Sequence, residues 1–191
     1  MRYSAIALLF ALLASLCMRA QEPTSFHFTV ADGLPSSEVY DVLQDDAGNM
    51  WFATDRDVVK YDGTEFKTYT SNDGLADNVN FVLGKDAHGN IWFGGFSNRV
   101  SWFDGQQFHA HPANAVLEDF PEFIYSTITP DAQDTVWLGF RRGVCETGLL
   151  GLAPDGGVKH WYQTPKNKRL ITIRQFAHGR SAFSSTGKSD A

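Results

Sequence analysis

One repeated segment limits what this chain can fold into more than any other feature. Asp32-Gly33-Leu34 returns as Asp73-Gly74-Leu75, 41 residues on, and Gly48-Asn49-Met50-Trp51-Phe52 returns as Gly89-Asn90-Ile91-Trp92-Phe93 at the same spacing. Tyr61-Asp62-Gly63 reappears as Phe103-Asp104-Gly105, 42 residues on. A looser third copy carries Asp134-Thr135-Val136-Trp137-Leu138, with Asp155-Gly156 as its later turn. A fourth begins at His178-Gly179-Arg180, with Ala182 in the Trp position. A period of about 40–45 residues means that one supersecondary unit is stacked on copies of itself, since no single unit can bury both its apolar faces.

Each unit reads as four short strands. In the first, Val39 to Gln44, Met50 to Thr54, Val58 to Tyr61 and Glu65 to Tyr69 are predicted strands. They are separated by the turn-forming run Asp45-Asp46-Ala47-Gly48-Asn49 and by Asp62-Gly63, which has the chemistry of a type I′ hairpin. Apolar residues alternate along the second strand, Met50 and Phe52 on one face and Trp51 and Ala53 on the other, so both faces expect a neighbouring sheet. A small residue two places after each Trp (Ala53, Gly94, Gly139) leaves room for that neighbour. The fold class is all-β: a β-propeller of about three and a half four-stranded blades. The units span residues 31–70, 71–112, 113–163 and a partial 164–191. Phe26, Phe28 and Val30 alternate as in a strand, so residues 25–30 are expected to be the fourth strand of a blade otherwise missing. Closed rings typically use 4–8 blades, so the chain is expected to be part of a larger ring.

Residues 1–20 carry a basic start, an apolar run from Ala5 to Leu16 and a small residue at Ala20, the layout of a secretory signal peptide cleaved ahead of the repeats at 21–191. The run is shorter than the roughly 20 residues of a membrane span. Beyond the leader only Cys145 remains, so no internal disulfide is expected in the exported product. Sixteen basic residues against 22 acidic ones give a net charge of −6, which argues against nucleic acid as a partner.

No catalytic constellation is found. The Asp45–Asn49 turn lacks the ligand spacing of a calcium loop. His109 and His111 share a strand face but lack a third metal ligand. Ala182 to Ser189 resembles a phosphate loop without the helix such a loop needs. No metal and no cofactor are expected. The candidate ligand-binding residues lie on the loops between second and third strands, which gather at one end of a propeller axis. They are Asp55, Arg56 and Asp57 in the first unit, Ser97, Asn98 and Arg99 in the second, and Arg141 and Arg142 in the third. Arginine forks suit carboxylate or sulfate groups. The third unit is longer here, with 18 residues from Trp137 to Asp155. Aromatic residues near Phe96, with Trp102, offer faces for stacking a sugar.

Gly33-Leu34-Pro35-Ser36-Ser37-Glu38-Val39-Tyr40, followed by Asp45 through Thr54 and Tyr61-Asp62-Gly63, resembles the two-component regulator propeller repeat. The resemblance is strong over residues 25–111 and holds in outline over 112–191. It implies the N-terminal periplasmic sensor region of a Bacteroidetes-type histidine kinase, tethered to the inner membrane in a full-length parent. It also implies an oligosaccharide or other periplasmic ligand, a homodimeric parent and a response regulator reached through the kinase. The chain itself carries no kinase motif, so catalysis is expected of the parent alone. Two rival readings stand beside this one: a secreted propeller lyase or hydrolase acting on polysaccharide, and a stand-alone binding or scaffold propeller.

Overall fold

The turns dictate where the sheets begin and end. In the computed structural model, which describes residues 25–120, 123–142, 146–163, 169–175 and 181–186 (side chains over 25–120, 123–141 and 148–158), three four-stranded antiparallel meanders follow one another. Blade 1 holds β1 (Val39–Gln44), β2 (Met50–Thr54), β3 (Val58–Tyr61) and β4 (Phe66–Tyr69). Blade 2 holds β5 (Asn80–Lys85), β6 (Ile91–Gly95), β7 (Val100–Phe103) and β8 (Phe108–Ala110). A short helix, α1 (Asn114–Leu117), leads into blade 3, made of β9 (Ile124–Pro130), β10 (Val136–Arg142), β11 (Glu146–Leu152) and β12 (Val158–Gln163). A final pair, β13 (Arg169–Gln175) and β14 (Ser181–Thr186), starts a fourth sheet. The phosphate-loop resemblance at 182–189 thus falls largely on a strand.

The Asp-Gly-Leu motif ends a capped 3-10 turn. Thr29 and Thr70 each lend their backbone N–H and hydroxyl to the carboxylate of the residue three ahead, Asp32 or Asp73. Gly33 and Gly74 then adopt φ of 119° and 99°, and a Cβ there would press on Phe66 or Phe108. Leu34 and Leu75 follow, both buried. Blade 3 replaces this entry with α1.

A second device recurs in all three complete sheets. The indole N–H of Trp51, Trp92 and Trp137 donates to the carboxylate six residues earlier, Asp45, Asp86 and Asp131, at 3.0, 2.9 and 2.8 Å. Asp45 also accepts from the backbone N–H groups of Ala47 and Asn49 and from the Asn49 amide. Burial works to raise its carboxyl pKa, but the bonds from Asn49 and Trp51 outweigh it and the net shift is downward. These oxygens are occupied by the protein itself, which explains the Asp-rich turn without an ion.

Side-chain alternation delivers the two-sided burial expected of stacked sheets. Trp51 and Ala53 enter a core shared with Ile91, Phe93 and Phe103 of blade 2, while Phe52 and Met50 face the other way. Trp92, Val82 and Val100 of blade 2 look toward Tyr125, Ile128, Val136 and Leu138 of blade 3. At Gly94 a Cβ would stand 3.0 Å from the Tyr125 ring, so the missing side chain does admit the neighbouring blade. Asp41 fixes the stacking from the edge by accepting the Leu83 backbone N–H at 2.8 Å.

Two local expectations are corrected. Among the described residues no strand pairs with 25–30, whose expected blade is not among them, and Val30 opens a 3-10 turn. Phe28 instead packs on Phe52, Tyr61 and Phe66 of blade 1. The Asp62-Gly63 hairpin is not type I′, because only Gly63 has positive φ and Asp62 pairs with Glu65 around Gly63-Thr64. Asp62 prefers to accept hydrogen bonds from Thr64 and Glu65. The extra length of the third unit extends β10 and β11 to seven residues each, leaving only residues 143–145 between them.

Candidate functional site

The loops between second and third strands place the expected residues unequally. On blade 1, Thr54 folds its loop into a tight turn: its hydroxyl accepts the N–H groups of Arg56 and Asp57 and donates to the Asp57 carbonyl. Arg56 is exposed, and Asp55 and Asp57 are half-buried. Burial and the nearby Asp73 raise the Asp57 carboxyl above its usual range, with Arg56 acting against them. On blade 2, Ser97 is exposed and its N–H is taken by Asp77, while Arg99 pairs with Glu118 at 2.7 Å. Asn98 is buried in a left-handed conformation at φ 59°. Its side chain donates to the Phe120 carbonyl and accepts the Phe123 N–H, and its carbonyl accepts the Tyr125 hydroxyl. That set of bonds ties blade 2 to the entry of blade 3, which leaves Asn98 a structural part. Arg141 is exposed, and the Arg142 side chain lies outside the described residues.

A more regular feature was not anticipated. Every inner strand carries a β-bulge at the same place: Tyr40, Phe81, Ser126 and Ile171 are each skipped by the pairing of the flanking residues. They are separated by 41, 45 and 45 residues, the period of the repeat. A bulge turns its residue out of the pleat and re-aims the side chain. Tyr40 is 43% exposed, and its ring sits 4.9 Å from Phe81 across the blade boundary. Phe81 in turn lies 6.1 Å from Phe96, which is 51% exposed on the blade 2 loop. Aromatic identity at 40 and 81, one period apart, was the available signal. An alternating pattern alone does not reveal a bulge, because the bulge exists only relative to a partner strand.

The histidine pair is absorbed by aromatic packing. His109 stacks on Trp102 at 4.9 Å and its Nε2 lies 2.6 Å from Asp104, so Trp102 is covered on this side. His111 is buried 5.9 Å from Trp92, and its Nδ1 accepts the Ala113 N–H. No cluster of three potential metal ligands occurs among the described residues. Burial lowers the His111 pKa from the usual 6.5 to about 4. The unfolded chain therefore binds a proton between those values that the folded chain refuses, and stability must fall as pH drops through that window. The expected slope reaches about 1.4 kcal/mol per pH unit. Urea unfolding across pH 4–7 should show it, with a flatter profile in His111→Phe. An unchanged slope in that variant would remove His111 as its source.

Comparison with known proteins agrees with this architecture. Residues 33–56, from the Asp-Gly-Leu turn through β2 into the blade 1 loop, match the family described as two component regulator propeller. No curated protein matches the chain. Among solved structures, the extracellular domain of the hybrid two component system BT4673 from B. thetaiotaomicron superposes with a TM-score of 0.58 at 16% identity, over 87% of this chain and 21% of that one. A second structure from B. thetaiotaomicron, which names BT4673 a one component system, gives 0.55 at 16% identity over the same shares. YCF48 bound to D1 peptide gives 0.51 at 12% identity, over 81% of this chain and 48% of that chain. The chain thus spans about a fifth of the BT4673 domain, and at these identities the likeness is one of fold. Residues 33–56 of its first blade match the two component regulator propeller family, within a stack of antiparallel β-propeller blades.

Proposed function

We propose that the chain is the extracytoplasmic sensing propeller of a two-component sensor, with ligand contact on the blade loops biasing a two-state dimer that signals across the inner membrane. The observation carrying this reading is the family match at residues 33–56, which covers a whole turn-and-strand module of blade 1. Two further facts support it. The BT4673 domains of similar fold are extracellular, and no helix among the described residues is long and apolar enough to cross a membrane. Catalysis then belongs to a kinase segment of the parent protein, which passes the signal to a response regulator.

Reading the gene beyond the codon for Ala191 tests this directly. The expected result is an open frame encoding further Trp-Phe units, then a membrane helix and a histidine kinase. A stop codon at that point, with no kinase gene beside it, would overturn the proposal and favour a stand-alone binding propeller.

A further inference from the structure

Blade 1 leaves exposed a face whose counterpart in blade 2 is covered. Leu83 of blade 2 is 7% exposed, because the Trp51 side of blade 1 lies over it. Val42 holds the same place in blade 1, 41 residues earlier, and is 46% exposed. Met50 and Phe52 on this face belong to a cluster built only from blade 1 and the segment leading into it. Stacked repeats bury such a face against a neighbour.

Residues 25–29 already occupy one position of that neighbour. Phe28 lies 41 residues before Tyr69, the residue that ends β4. Across the seam of blades 1 and 2, Tyr69 sits 5.8 Å from Phe103 and 5.2 Å from Phe108. Phe28 sits 4.9 Å from Tyr61 and 5.2 Å from Phe66, which lie 42 residues before those two. Thr29 and Thr70 follow with nearly the same backbone, φ −130° and −125°, and cap the same turn. The segment is therefore placed as a fourth strand with no third strand beside it. Tyr69 pairs with Val58 of β3, whereas among the described residues the backbone of 26–28 bonds to no other backbone group. An unpaired extended edge beside an open apolar face is a template for an incoming sheet.

The seam of blades 1 and 2 also shows what that sheet must carry. Trp51 meets Phe93 and Phe103 there, and Phe52 and Tyr61 are their counterparts on the open face. A second copy of this chain is a poor source of such a Trp. Its blade 3 already lies against β13, and the fourth sheet has Ala182 in the Trp position.

We propose that this face is the socket for the ring-closing blade of a longer parent protein. The occupant is a three-stranded antiparallel sheet with Trp on its second strand. Its third strand pairs with residues 25–29, which complete the blade. The inference rests on the sensor reading only in needing further units of the repeat.

The test compares this chain with the product of the complete open frame. Amide hydrogen exchange needs no substitution: the slowest amide of residues 26–28 should exchange at least about tenfold more slowly in the longer protein. Maleimide labelling of Val42→Cys should also slow by at least about tenfold there. Gln106→Cys, on an exposed hairpin, should label equally in both. No slowing of exchange, or of labelling in a folded Val42→Cys variant, would overturn the proposal. So would protection in this chain alone that rises with its concentration, which would seat a second copy on the face. Protection in a product without a kinase leaves this inference standing and overturns the sensor reading. A kinase without protection does the reverse.

Discussion

Replacing Trp51 with alanine is expected to remove about 3–5 kcal/mol of stability, the range for truncating a buried Trp. Trp51 is 1% exposed and lies at the seam of blades 1 and 2. Its ring is within 5.5 Å of Tyr69, 5.7 Å of Phe93 and 5.3 Å of Phe103, measured between centroids. Truncation opens a cavity between two sheets whose backbones are already held by their own ladders, so collapse refills little of it. Trp51→Phe is the milder change, because it keeps an aromatic ring in the seam and loses the pyrrole edge with its N–H to Asp45. That variant should lose about 1–2 kcal/mol. Urea unfolding followed by circular dichroism measures both. Equal losses in the two variants would mean that the Asp45 contact, rather than the ring, holds the seam.

Gly84→Val should have an effect of similar size for the opposite reason. A Cβ at Gly84 would stand 2.7 Å from the Ile128 carbonyl oxygen and 3.0 Å from its Cγ2. The nearer contact is backbone in the middle of β9, which cannot swing aside as a flexible side chain would. Overpacking typically costs 1–3 kcal/mol, and a clash against a strand backbone belongs at about 3 kcal/mol. The equivalent residue of blade 1 is Leu43, which packs half-buried against the blade 1–2 core. The same position thus holds a large side chain at one seam and none at the next. A fall in Tm confined to Gly84→Val, with Leu43→Val tolerated, is the expected pattern. A Gly84→Val chain as stable as the parent would show that blades 2 and 3 can move apart freely.

The strands of blade 1 were legible because turn residues and period-2 alternation agree there: β1, β2 and β3 fall where Val39, Met50 and Val58 announce them. The segment 25–30 shows what an alternating pattern leaves undetermined. Alternating Phe26, Phe28 and Val30 satisfies the pattern of a strand, but a strand also needs a partner ladder, and Phe28 buries itself against blade 1 without one. Blade 3 was only partly readable, since α1 replaces the Asp-Gly-Leu entry and its strands lengthen to seven residues. The loop positions of the arginines could be read from the repeat, but their engagements could not: Glu118, which holds Arg99, is 19 residues away in sequence. Asn98 was named for its place on the loop between second and third strands, and its positive φ and its bonds to blade 3 could not be read from that place.

The Asp–Trp latch spans only six residues, so each blade closes it without help from its neighbours. Counting by the same period, the fourth unit has Phe176 where the others have Asp and Ala182 where they have Trp. Both halves of the latch have been exchanged for apolar residues together. Losing the carboxylate alone would strand a buried N–H, and losing the indole alone would leave a half-satisfied carboxylate, whereas exchanging both can be nearly neutral. In blades 1 to 3 the two positions therefore act as a matched pair, and a blade keeping only one half of it is expected to be less stable than one keeping both.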